Sequence, residues 1–214
     1  MPPFATLAAD PTAQLDALAL ALAAELRPVD AEAVLARLDE LAGEVREVAN
    51  ATGGELAALS FVLGERYGFA GATDEYDHPD HSMLDLVLER RRGLPIALSV
   101  IYVATAHRAG IALDGVGLAG HYVVGQFRAA SAPVLLDPFG GGRPIAAPNA
   151  AEVRPWPPHE TALRMLNNLV GSYTRRNDLG RAIRTAEMRL ELSLEPTLRD
   201  ALAAELRGLR ARLN

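Results

Sequence analysis

The chain has 214 residues, half of them apolar, a net charge of −6 and no cysteine; all 21 of its basic residues are arginine. That length accommodates one domain, or one with a small appendage, around a real buried core. The composition excludes disulfides, thiolate metal sites and thiol chemistry, and the negative balance argues against broad, salt-driven nucleic-acid binding.

The opening Met1-Pro2-Pro3-Phe4 lacks the basic stretch of a secretory signal. The longest alanine/leucine run, residues 17–24, stops at Glu25, far short of the ~20 apolar residues that span a bilayer. A soluble, cytoplasmic protein with no membrane attachment is expected. Asp10-Pro11 reads as a helix start, a side-chain cap followed by proline. Leu15, Leu18, Leu22 and Leu26 then fall on one stripe, and Pro28 ends the helix. The spacing predicts a second helix over 31–51, with Val34, Leu38, Leu41, Val45 and Val48 inward and Gly53-Gly54 as its break. A third helix is predicted over 55–67, stopped by Gly68. Residues 1–68 thus form a helical layer without visible chemistry.

Residues 70–82 are polar and turn-rich, and Ser82 is placed to cap a helix over 83–91. After Arg90-Arg91-Arg92, Pro95 suits the first turn of a buried helix over 96–108, with Gly110 as its stop. The period then changes to that of strands, over 113–118, 121–128 and 133–137. Short links between consecutive strands favour an antiparallel sheet, and helices followed by strands give an α+β layout. Gly140-Gly141-Gly142 and the proline-rich stretch to Pro158 read as a boundary loop. The glycines lack the Gly-Lys-Ser/Thr ending of a phosphate loop. From Thr161 the chain is helical again, and Asn168, Tyr173, Ala182, Ala186 and Pro196 match one tetratricopeptide-type hairpin, followed by a helix over 197–213. One such unit does not stand alone, so it is expected to dock on the core. The division is 1–68, 69–148 and 159–214.

A papain- or transglutaminase-type site needs a nucleophile at a helix N-terminus, a histidine on one strand and an Asp or Asn on the next. His121 begins one predicted strand and Asp137 ends the next. Three separated motifs carry a family resemblance, Arg91-Arg92-Gly93-Leu94-Pro95-Ile96-Ala97-Leu98-Ser99, Gly115-Val116-Gly117-Leu118-Ala119-Gly120-His121-Tyr122 and Leu136-Asp137-Pro138-Phe139-Gly140-Gly141, joined by Phe69, Asp74, Tyr76, Asp77, Pro79 and Ser82 upstream and Leu166-Asn167-Asn168-Leu169 downstream. In this order they resemble the bacterial SirB family, whose members look like transglutaminase-like domains followed by tetratricopeptide-like helices. The resemblance covers about residues 55–200. It implies that Pro95 stands where the thiol nucleophile would sit, a loss shared across that family. Two departures are His81, where the family has asparagine, and Ala119, where a proline precedes Gly-His.

Each candidate has two readings. His121 with Asp137 is a general base held by a carboxylate, or a hydrogen bond tying two strands. His81, His78 and Asp77 could join His121 in a nitrogen/oxygen metal set, or form a solvated turn; no metal and no cofactor are expected. Ser99 is a nucleophile, or bonds back to a carbonyl in its helix. Arg90–Arg92 bind an anionic partner, or form a solvated face, one of them pairing with Asp74 or Asp85. Asp77, Pro95, Ile96, Tyr122 and Arg92 are the candidate binding residues. Trp156 is expected to plug the groove between core and C-terminal helices, and His107 and His159 receive no role. The expected function is a non-catalytic module binding a protein or peptide. The alternative is acyl transfer or amide hydrolysis with His121 and Asp137 as the base pair. Substrate and oligomeric state are left open.

Overall fold

The computed structural model describes residues 1–129, 131–146 and 153–213. A short helix, α1 (Phe4–Ala9), precedes the first predicted one and is anchored by the fully buried Phe4. Asp10 therefore ends a helix instead of starting one. Its carboxylate accepts from the Thr12 amide (2.8 Å) and hydroxyl (2.7 Å), a local turn, and α2 (Leu15–Leu26) begins beyond it. Alanine and leucine surround α2 on most sides, so it lies inside the protein. The next helix, α3 (Ala31–Thr52), is capped by Asp30, which accepts from the Ala33 amide at 3.1 Å, and ends on Gly53 at φ 72°.

The helix predicted over 55–67 is α4 (Glu55–Leu59) running into a π-helical stretch, Ser60–Arg66. There Tyr67 N–H reaches five residues back to Val62 O at 3.0 Å. The glycine turn packs directly on this widened stretch. A Cβ at Gly64 would lie 1.9 Å from the Gly141 carbonyl.

Residues Pro79–Ser82 form a 3-10 turn that contains Ser82, so α5 (Leu84–Arg90) starts from Met83 with no side-chain cap. Two dipeptide strands, β1 (Ala70–Gly71) and β2 (Arg92–Gly93), pair in parallel. The central helix, α6 (Pro95–Arg108), is buried along most of its length.

Four strands follow in simple antiparallel order: β3 (Asp114–Leu118), β4 (His121–Gln126), β5 (Val134–Asp137) and β6 (Arg143–Ile145). The fourth strand lies in what reads as boundary loop. It is too short and polar for the alternation signal, and pairing of Arg143 with Asp137 and of Ile145 with Leu135 creates it. Tyr122, Val124 and Leu136 join the main core with α6. Val116, Val123 and Leu135 make a smaller cluster with Leu118 and Phe127.

Helices α7 (Pro158–Arg175), α8 (Leu179–Glu191) and α9 (Pro196–Ala211) complete the chain. Met165, Leu166, Leu169 and Tyr173 of α7 sit in the main core, while Val170, Ala186, Leu206 and Leu209 bind the three helices to one another. The architecture is α+β, a four-stranded antiparallel sheet wrapped by helices. Among the described residues no helix is long and apolar enough to cross a membrane.

Candidate functional site

Four segments converge on one cavity of about 170 Å³: the start of α6, the β3–β4 corner, one face of α7, and the stretch carrying Tyr76, Asp77 and Ser82. At the start of α6, Pro95 occupies the first helical position and no side chain caps the end. Proline suits that place because its missing N–H has no partner in any helix. Leu94 N–H donates to His81 O at 2.8 Å, and the first intrahelical bond is Leu98 N–H to Leu94 O at 3.0 Å. The amides of Ile96 and Ala97 therefore precede the helical ladder, at the positive end of the helix dipole.

The strand corner supplies the imidazole. Val124 pairs with Leu136, so the register sets Asp137 diagonal to His121, within reach of a long side chain. His121 Nε2 donates to Asp137 Oδ1 at 3.0 Å, the tautomer following from the carboxylate as acceptor. The same oxygen accepts from the Phe139 amide at 3.0 Å, which fixes the carboxylate. Phe139 presents its ring edge-on to His121, centroids 6.3 Å apart. No other bond to the His121 ring is made among the described residues, so Nδ1 is the nitrogen left to a ligand.

The third wall is α7. Arg164 donates to His121 O at 3.0 Å, and its guanidinium lies over the rings of Tyr122 (5.4 Å) and Trp156 (5.5 Å). Ser172 Oγ donates to Asp77 O, and Arg175 Nε donates to the Asp77 carboxylate at 2.7 Å. The Arg175 hydrogen bond holds the Asp77 carboxyl below its ordinary value.

Of the residues singled out from sequence, His121, Asp77, Pro95, Ile96 and Tyr122 line this cavity, and Asp137 stands behind His121. Tyr122 contributes its ring alone. Its hydroxyl is 2.6 Å from Thr161 Oγ1, which itself donates to Pro157 O at 3.2 Å, and burial pushes the phenol up to about 12.

His81 and Arg92 do not line the cavity. The His81 ring packs edge-on to His78 (5.9 Å), and its Nδ1 is buried with no partner among the described residues. Arg92 is exposed and donates to Gly68 O and Arg91 O, ties that fasten the β1–β2 pair. Among the described residues no three His, Asp or Glu side chains are grouped to hold a metal, so His78, His81, Asp77 and His121 are not brought together as ligands. Ser99 is fully buried with an unpartnered hydroxyl, away from the cavity, and makes no back-bond within its helix. Arg90 pairs with Asp80 at 2.8 Å, and Asp85 is taken by Arg27. His107 Nε2 donates to Leu113 O at 2.7 Å. Trp156 bonds through its amide to Gly115 O (2.9 Å) and sets its ring against Tyr122 and over Gly117, sealing sheet to α7.

Of the α7 residues in the cavity wall, Arg164, Asn168, Ser172 and Arg175, the hairpin motif contains Asn168 without giving it a place at the site, and the other three are not evident from motifs. Their spacing of four, four and three does carry a signal: it is one helical stripe beside the apolar face Met165, Leu166, Leu169 and Tyr173.

The family model described as Transglutaminase-like superfamily matches residues 32–184. A UPF0162 protein of Xylella fastidiosa is 38% identical over 157 residues, covering 64% of this chain and 56% of that protein. A UPF0162 protein of Pseudomonas aeruginosa is 33% identical over 153 residues, covering 69% of this chain and 54% of its own length. The human F-box only protein 21 is 28% identical over 97 residues, 42% of this chain and 15% of that protein. The chain spans about half the length of the bacterial relatives it matches. No solved structure matches.

Proposed function

The chain belongs to the transglutaminase-like superfamily, and on that premise we propose that it is a cysteine-less domain whose cleft binds a peptide or protein segment without covalent catalysis. One observation carries this reading. At the helix start, where the fold offers a positive end to a nucleophile, stands Pro95, with no thiol, no hydroxyl and no N–H. The cavity around it is nonetheless kept open and lined by polar side chains. We further read the chain as a SirB-type member acting in the cytoplasm, with α7–α9 as a tetratricopeptide-type interaction element beside the cleft. Supporting this is the packing of α7, whose apolar face joins the core while its adjoining stripe borders the cavity.

Selection from a random peptide library tests the reading. Peptides enriched on the wild type are expected to lose binding to Asn168→Arg, which fills the cavity from α7. Equal enrichment on both proteins would remove the cleft as the binding surface.

A second reading is favoured by the His121–Asp137 bond facing an open cavity. In it His121 Nδ1 takes a proton from water, the resulting hydroxide attacks a peptide or acyl carbonyl, and the leaving group takes the proton back. The Ile96 amide would hold the oxyanion, a contribution of ~3 kcal/mol for one such donor. Acyl and amide substrates turned over by the wild type but not by His121→Ala would establish it. Equal rates in both would dismiss it.

A further inference from the structure

We propose that the inner end of the cleft is a carboxylate subsite, taking the free acid of a peptide, whether a side-chain or a C-terminal carboxylate. The proposal rests on the peptide-binding reading and adds the chemistry of the group bound. Four observations converge. The Ile96 and Ala97 amides precede the ladder of the fourteen-residue α6, and such paired amides at the positive end of a helix suit an anion.

Ser82 lines the same cavity, is 2% exposed, and its hydroxyl makes no hydrogen bond among the described residues. Its neighbour His81 accepts from Leu94 N–H, which clamps the Ser82 turn against the helix start. Ser82 and Ile96 border the same cavity, and with neither the Ser82 hydroxyl nor the Ile96 amide bonded among the described residues, the two are donors open to an acceptor.

Arg164 supplies the charge. It forms no ion pair among the described residues, donating to the carbonyls of His121 and Leu118 while its face lies on two aromatic rings. A half-buried guanidinium without a carboxylate is a cost unless a ligand supplies one.

The acids nearby are already answered. Asp77 faces Arg175 at 2.7 Å and Arg176 at 3.7 Å. Asp137 is held by His121 and the Phe139 amide. Glu160 is held by Arg154 at 2.7 Å. The cavity, about 170 Å³, admits a carboxylate-bearing side chain or chain end.

Three small probes test this by titration followed through backbone amide resonances: N-acetyl-glutamate α-amide, N-acetyl-alanine and the neutral N-acetyl-glutamine α-amide. Saturable shifts at Ile96 and Ala97 are expected with at least one acid, with the neutral amide at least tenfold weaker. If one acid alone binds, it identifies the source as side chain or chain end.

Arg164→Gln is expected to weaken acid binding on the order of tenfold. Ser82→Ala, which removes no packing around Tyr122, is expected to weaken it about threefold and covers the case in which Arg164→Gln fails to fold. Binding of the neutral amide as tight as the acids would overturn the carboxylate claim and leave the peptide-binding reading standing. Absence of saturable shifts with both acids would overturn it as well. Acid binding with no peptide selected from the library would sink the broader reading alone.

Discussion

The β3–β4 corner and the Pro79–Ser82 turn both abut the start of α6, and each offers a histidine, yet they face the cleft differently. At the corner, antiparallel register puts His121 diagonal to Asp137, and the bond between them leaves the imidazole edge to the cavity. In the turn, the backbone of His81 is engaged by Leu94 N–H while its ring packs on His78, and Ser82 is the residue that meets the cavity. The difference lies in what fixes side-chain direction. In a strand it is parity, which one pairing settles for every residue. In a single 3-10 turn there is no such rule, and packing decides.

The strand corner is predicted to be the stiffer of the two regions. Gly117→Ala places a Cβ 2.1 Å from the Trp156 ring, and calorimetry should record a loss of about 2–3 kcal/mol from overpacking. A loss under about 0.5 kcal/mol would show that the corner yields as easily as a turn.

The turn carries a misfit the corner lacks, since the buried His81 Nδ1 has no partner among the described residues. His81→Leu should leave stability unchanged or raise it by up to about 1 kcal/mol, because an unpaired polar atom is removed. Urea unfolding that showed a loss above about 2 kcal/mol would mean the imidazole does structural work that its surroundings do not reveal.

The smallest effect concerns how the loop before the turn is tied to α7. The Asp77 carboxyl is lowered from 3.8 by its bond to Arg175, so around that pH the unfolded chain binds more protons than the folded one. Its contribution is present above pH 3.8 and is lost as pH falls through the lowered folded value. The acid limb of wild-type stability should therefore be slightly steeper than that of Asp77→Asn. Superimposable limbs would show that Arg175 does not tie the loop down.

Much of the fold was legible because its elements announce themselves locally. The stripe Val34, Leu38, Leu41 and Val45 gave α3, and the change of period after Gly110 gave three strands within two residues of their ends. What stayed hidden depends on partners far along the chain. β6 exists through pairing with β5, the two dipeptide strands through each other, and the π-helical stretch fits against Gly141. Asp10-Pro11 misled because the same residues that start a helix also close a turn after one. At the site, the strand-borne residues and the helix start were readable from three motifs, whereas Ser82 read as a helix cap, Asn168 as part of a helical hairpin, and Arg164, Ser172 and Arg175 carried no motif. Arg164 lies 43 residues beyond the His121 carbonyl it meets. Its polarity in an amphipathic helix is indistinguishable from that of a solvated face until the helix is docked.

The chain contains a single tryptophan, and Trp156 sits between the Arg164 guanidinium and the Gly117 backbone. An indole's emission colour depends on charge beside its ring. One band from one fluorophore thus views Arg164 together with Arg154, which lies over the same ring at 5.5 Å, and neutralising the cation that borders the cleft would move the band. The molecule carries its own optical gauge of occupancy, readable without a label.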